Sequence, residues 1–265
     1  MPVAELAPFG LIFLLAATFF AGFLDAAVGG GGLINLPSLF AALPQAAPVY
    51  LLATNKVSSV FGTASAAARY ARHVKIEWNA ALPAALAALL CSFGGAWAVT
   101  HLPGDWLRRA LPFVLLAVAA YTFAKKDLGA VHAPRFRGWS EVALAAAGGG
   151  AIGFYDGFFG PGTGSFLVFM FVRLFGYSFL GASAAAKIVN VATNLAALAY
   201  FVPAGYVWWQ IGLAMAVFNV LGAQVGSHLA LARGSGFVRA LFLLVLGVLI
   251  VKTFYDAFGP WPPVR

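Results

Sequence analysis

Charge is scarce in this chain. Only 9% of its 265 residues are Asp, Glu, Lys or Arg, and 8 of those are acidic. A water-soluble domain carries about 25% charged residues because its surface faces water, so the composition argues against a soluble enzyme. No polar stretch is long enough for a second domain. Cysteine is nearly absent: Cys91 stands alone, which excludes a disulfide framework and a cysteine metal site. The histidines, His73, His101, His132 and His228, lack metal-ligand spacing. The Gly-rich stretch "GPGTGSF" lacks the lysine of a nucleotide-binding loop and sits among apolar residues. Neither a nucleophile elbow nor an acid/base pair is evident, so no cofactor and no enzymatic activity are expected. "MPVAELAP" at the N-terminus carries no Lys or Arg, and the first apolar run is expected to be a retained span rather than a secretory signal.

What is present is apolar. Hydrophobic residues make up 62% of the chain and mean hydropathy is +0.91. Several windows of roughly 20 residues, enough to cross a hydrocarbon core of about 30 Å, are almost free of charge. They include 9–28, 78–101, 111–124, the run ending at 201, and 238–251. The expectation is an all-α polytopic membrane protein with a single membrane domain spanning 1–265. The formal charge of +8 gathers in short clusters: Arg69, Arg72 and Lys75, then Lys125, Lys126, Arg135 and Arg137. Lying between spans, they fit the positive-inside rule better than a nucleic-acid surface.

The chain also repeats itself. A shift of 131 residues (156 minus 25) lays Asp25 on Asp156, Lys56 on Lys187, Trp78 on Trp209, Gly95 on Gly226 and Arg108 on Arg239. Apolar bias does not produce matched Asp, Lys, Trp and Arg in one register. Internal repeats are typical of secondary transporters. The first repeat is expected at about 8–124, a cytoplasmic linker at about 125–139 and the second repeat at about 140–256.

Each repeat begins with a long apolar segment (8–28, 140–159) that ends in a Gly-rich break. A short piece follows (33–43, 165–175), then a lysine-bearing segment (48–68, 179–202) and two more (78–101 and 107–124; 209–232 and 238–256). Matching turns are expected at Pro103–Gly104 and at 234–236. The basic loop 69–77 has an uncharged counterpart at 203–206, whereas the counterpart of the outer turn carries Arg233 and Arg239. This swap of sides favours inverted repeats with five elements each. Arg108 and Arg109 count against it, and the rival is a parallel pair with four crossings each.

Breaks and intramembrane charges carry the functional reading. In hydrocarbon every backbone polar group needs a partner, so Gly29–Gly32 and Gly160–Gly164 must pack on protein or line a wet cavity. Short helices starting there would aim N–H groups from Gly30, Gly31 and Gly32, and from Gly162, Thr163 and Gly164, at an anion. Tight helix packing is the plainer use of the glycines. Lys56 and Lys187 lie inside apolar segments, where a lysine costs a few kcal/mol. Each either meets an anion or pairs with the aspartate of its own repeat, Asp25 or Asp156. Those aspartates could instead carry a coupling proton. Ser59 and Thr63 share a helical face with Lys56, near Asn55, and Asn190, Thr193 and Asn194 accompany Lys187; these groups can donate to oxyanion oxygens. Trp78, Trp209, Tyr70, Tyr200 and Tyr206 are assigned to the membrane interface, and Arg173 to a cytoplasmic anchor.

"ATNKVSSVFGTASA" (53–66) with Tyr70 and Trp78 downstream, together with "GFYDGFFGPGTGSF" (153–166) and "AKIVNVATNLAALAYF" (186–201), resembles the TauE/SafE (TSUP) permeases over nearly the whole chain. The resemblance implies a multi-pass transporter of the bacterial inner membrane that moves small sulfur-containing anions, such as sulfite, sulfoacetate or other organosulfonates, on an ion gradient. "GPGTG" departs from the more usual Gly-Gly-Gly break. Expected partners are a small anion, membrane lipid and a coupled proton; a homodimer is left open and no nucleic acid is expected. A passive anion channel on the same frame, or an intramembrane assembly factor, is the alternative.

Overall fold

The computed structural model describes residues 8–104, scattered positions between 106 and 117, and residues 133–258, from 234 onward as backbone only. The expected segment 107–124 thus lies largely outside the described residues, as do Arg108, Arg109, Lys125, Lys126, His132 and the side chains of Arg239 and Lys252. Among the described residues every regular element is helical: α1 (Pro8–Val28), α2 (Gly32–Ala42), α3 (Pro48–His73), α4 (Trp78–Thr100), α5 (Trp139–Phe158), α6 (Thr163–Phe169), α7 (Phe179–Phe201) and α8 (Trp209–Phe258). Four stretches are long and apolar enough to cross a membrane: Phe9–Val28, Trp78–Thr100, Phe179–Phe201 and Trp209–Arg233.

Local chemistry accounts for most boundaries. α1 stops where Gly29 takes a positive φ of 85°, a backbone state open to glycine at little cost. Pro48 opens α3 at its first turn, where the missing N–H is no loss. Ser178 caps α7 by accepting the Gly181 N–H. The short second-half piece is less regular than the sequence implies, for α6 widens into a π turn over Met170–Leu174 before Gly176 ends it.

The turn expected at 234–236 does not form. α8 runs unbroken from Trp209 to Phe258, 50 residues, or about 75 Å at 1.5 Å per residue. No proline lies within it, and a glycine in a helix costs only about 1 kcal/mol relative to alanine. The apolar residues on both sides propagate the helix through Gly234 and Gly236. The side assigned to Arg233 from that turn therefore loses its basis.

Helices α1 and α8 pack together, as do α4 and α5, while α3 and α7 cross at the centre, with α3 also against α8 and α7 against α4. Small residues set these crossings. A Cβ on Gly95 would lie 2.2 Å from the Phe154 carbonyl oxygen, and one on Gly226 would lie 2.1 Å from that of Phe23. The neighbouring Gly94 has nothing within 4 Å. Gly95→Ala is therefore expected to lower the thermal unfolding midpoint in detergent, at a cost of about 1–3 kcal/mol from overpacking. Gly94→Ala should leave it unchanged, and equal midpoints for the two variants would refute this account of the α4–α5 contact. The outer faces of α4 and α8 expose large apolar side chains, among them Leu90, Trp97, Val217 and Leu221, as a lipid-facing surface requires.

Candidate functional site

Central helices α3 and α7 carry the two intramembrane lysines, and both side chains are buried. Lys56 Nζ lies 2.6 Å from Asp156 Oδ2. Lys187 Nζ donates to the Asp25 backbone carbonyl and lies 3.2 Å from Asp25 Oδ2. The pairing expected within each half is thus corrected, since each lysine reaches the aspartate of the other half. α3 and α7 pack against each other, and each lysine meets the aspartate near the end of the opposite half's long helix.

The two Gly-rich breaks meet. Ser165 N–H donates to the Gly29 carbonyl at 2.8 Å. A Cβ on Gly164 would sit 2.5 Å from that oxygen, and one on Gly32 would sit 3.1 Å from Pro161 Cα. Glycine at 164 is required by this backbone-to-backbone approach. Two phenols pin the ends of the breaks: Tyr70 donates to the Ala26 carbonyl (3.1 Å) and Tyr155 to that of Pro161 (2.6 Å). Tyr70 is fully buried, so it faces protein rather than lipid, and its hydroxyl is held by the Ala26 carbonyl.

Between the breaks and α3 lies a cavity of about 20 Å³, room for a water or two and too small for an oxyanion with three or four oxygens. From α3 it is lined by Lys56, Ser59 and Thr63, the face that helical spacing grouped together, and by the neighbouring Asn55. Asn190 and Asn194 line it from α7, and Asp25 and Asp156 from the ends of α1 and α5. The breaks contribute Gly29, Gly31, Gly32, Gly160, Gly162, Thr163 and Gly164 to the wall. Lys187 and Gly30 are not in the wall. Lys187 stands behind Asp25.

The polar groups are wired to one another. Thr18 donates to Asn35, which donates to Asn55 Oδ1 at 2.8 Å. Thr63 donates to Asp25 Oδ2 at 3.2 Å. Asn194 donates to the Asn190 carbonyl at 2.8 Å, whereas Thr193 turns from the cavity to the same carbonyl. Thr163 closes the second break onto the Gly160 carbonyl. Sequence reasoning missed Asn219, which lines the cavity from α8 and donates to Ser58 at 3.0 Å. A lone amide within the apolar run "AMAVFNVLGA" was the available signal, because a buried polar group in a span needs a partner.

Outside the cavity, Tyr177 donates to buried Glu141 at 2.6 Å, and burial with this carboxylate raises the phenol well above its ordinary range. No group of three His, Cys, Asp or Glu able to hold a metal occurs among the described residues.

Comparison with known proteins agrees in kind. A family model described as sulfite exporter TauE/SafE matches residues 14–253. A probable membrane transporter protein, ORF9, of Sinorhizobium sp is 40% identical over 253 residues, covering 94% of both chains. The probable membrane transporter protein YfcA of Escherichia coli K12 is 35% identical over 250 residues, 94% of this chain and 91% of that one. A probable membrane transporter protein of Haemophilus influenzae is 31% identical over 246 residues, 93% and 95% of the two chains. No solved structure matches.

Proposed function

The chain belongs to the sulfite exporter TauE/SafE family of membrane transporters, and from that premise we propose that it is a secondary transporter of small sulfur-containing anions, working by alternating access around the cavity between its two halves. The observation that carries this reading is Lys56, a buried ammonium on the cavity wall with Asp156 at 2.6 Å. An anion that displaces Asp156 inherits a charge-assisted donor, with the amides and hydroxyls of Asn55, Ser59, Asn190 and Asn194 around it. The small cavity corresponds to a closed form, and an anion enters only when the wall parts. In a bacterium, such a protein would reside in the inner membrane.

Inverted repeats belong to this proposal. Contacts recur with exchanged partners at positions 131 residues apart. Lys56–Asp156 matches Lys187–Asp25, Gly95 over Phe154 matches Gly226 over Phe23, and Arg69–Gln224 matches Tyr200 against Phe93. Two halves related in this way can exchange conformations, which opens the site to one side and then the other. Inversion expects matched loops on opposite faces. In a Cys91→Ser background, Lys75→Cys should react with an impermeant maleimide from the cytoplasm only and Gly205→Cys from the outside only. Labelling of both from one face would favour parallel repeats.

Ligand-induced thermal stabilisation tests the substrate class. Sulfite, thiosulfate, sulfoacetate, taurine and isethionate, with chloride as control, are added to the purified protein. At least one sulfur anion should raise the unfolding midpoint where chloride does not; no response to any of them would reject the reading.

A further inference from the structure

The two lysine–aspartate pairs occupy matched positions yet are built differently. Lys56 is in the cavity wall, and Asp156 is its partner at 2.6 Å. Among the described residues, Asp156 receives one side-chain hydrogen bond, from Lys56. Lys187 is outside the wall and is tied twice, to the Asp25 carboxylate and to the Asp25 backbone carbonyl near the end of α1. Asp25 Oδ2 also accepts from Thr63 at 3.2 Å. Both aspartates touch the cavity, and Asp25 is the more exposed, 14% against 3% for its side chain. Access therefore does not separate them, but their partners do. Loss of charge on Asp156 breaks one contact and frees an ammonium on the cavity wall. Loss of charge on Asp25 leaves Lys187 on the backbone carbonyl, away from the cavity.

We infer that Asp156 is the proton carrier of the transport cycle and Lys56 its anion receptor, while Asp25 and Lys187 form a fixed strut. The inference rests on the anion-transport reading and deepens it. Charge balance sets the stoichiometry. In the closed form both pairs are neutral, so a monovalent anion would add an uncompensated negative charge inside the membrane domain. One proton taken from water onto an Asp156 carboxylate oxygen cancels it: Asp156 becomes the neutral acid, Lys56 stays an ammonium, and the anion replaces the carboxylate as its counter-ion. The site ends with the net charge it began with. On release the proton leaves and Asp156 closes again on Lys56.

Other titratable groups around Asp156 do not duplicate this role. From α3 it faces Lys56, and across the cavity lies Asp25 of α1. On its own helix, Tyr155 is committed to the Pro161 carbonyl. From α4 the one titratable group against α5 is Cys91, beside Gly150. From α7 Lys187 is held behind Asp25, and the turn after α6 supplies the exposed Arg173 and Tyr177, whose hydroxyl is committed to Glu141 near the start of α5.

The test uses isethionate, a monovalent sulfonate that stays ionised from mildly acidic to mildly alkaline pH. Calorimetric titration of the full-length protein in two buffers of different ionisation enthalpy counts the protons taken up per anion bound. Wild type should take up one. Asp156→Asn should still bind isethionate but take up none, and its affinity should lack the decline toward alkaline pH that is expected of wild type. Asp25→Asn should still take up one proton per anion at whatever affinity remains. The variant Lys56→Met/Asp156→Asn removes both charges and guards against misfolding; with the wild-type unfolding midpoint, it should show no anion-linked proton uptake. Binding without proton uptake in wild type, uptake that persists in Asp156→Asn, or binding that requires sodium would overturn the assignment while sparing the anion reading. Absence of binding by isethionate, sulfite or thiosulfate at any pH would remove both.

Discussion

Lys56→Met should weaken binding of the transported anion at least tenfold, about 1.4 kcal/mol, in a protein that still inserts. Methionine preserves the length and much of the apolar stem, so packing in α3 is retained while the ammonium is lost. The charge is what the cavity cannot replace. The remaining donors on the wall are neutral amides and hydroxyls, whose hydrogen bonds are roughly half as strong as those of an ionised donor. The variant leaves Asp156 without Lys56, and breaking a buried pair by removing one partner costs about 3–5 kcal/mol in a closed interior. Asp156 borders the cavity, so a proton or water can reach it and the loss should fall below that range. Affinity from calorimetry and the unfolding midpoint together decide the matter. Wild-type affinity in Lys56→Met would remove the lysine from the site and leave the anion to the backbone of the breaks.

How much of this was legible in the sequence follows from which signals are local. Helices were legible because runs of apolar residues bounded by Gly and Pro need no tertiary information: 8–28 and 140–159 fall on α1 and α5 within a residue or two. The turn at 234–236 was misread because glycine permits a turn without enforcing one, and no proline or polar run there stops the helix. Lys56 and Lys187 stood out because a charge in an apolar run must be compensated, yet their partners did not. Sequence proximity of Asp25 to Lys56 suggested a pair within one half; in the fold each lysine meets the aspartate of the other half. The two lysines also differ in place, one on the cavity wall and one behind it, a difference that no residue type records. Asn219 was missed because its partner Ser58 is 161 residues away.

Lys187→Met should therefore act on stability rather than on the anion. Its Nζ satisfies both the Asp25 carboxylate and the Asp25 carbonyl, and its side chain is 1% exposed. Removing it leaves the Asp25 carboxylate beside the first break without its counter-charge, with a cost of about 3–5 kcal/mol for the broken buried pair. Adding Asp25→Asn neutralises the stranded charge and should recover most of the loss. Recovery should approach wild type, because the Asp25 carbonyl keeps the Gly29 N–H as a donor at 2.9 Å and so is not an unsatisfied buried acceptor. The readouts are the thermal unfolding midpoint and the fraction of monodisperse protein after extraction. The double variant should still take up one proton per isethionate bound, at whatever affinity remains. A Lys187→Met variant with the wild-type midpoint but lost anion binding would reverse the roles of the two pairs. The anion would then bind on the α7 side, beside Asp25.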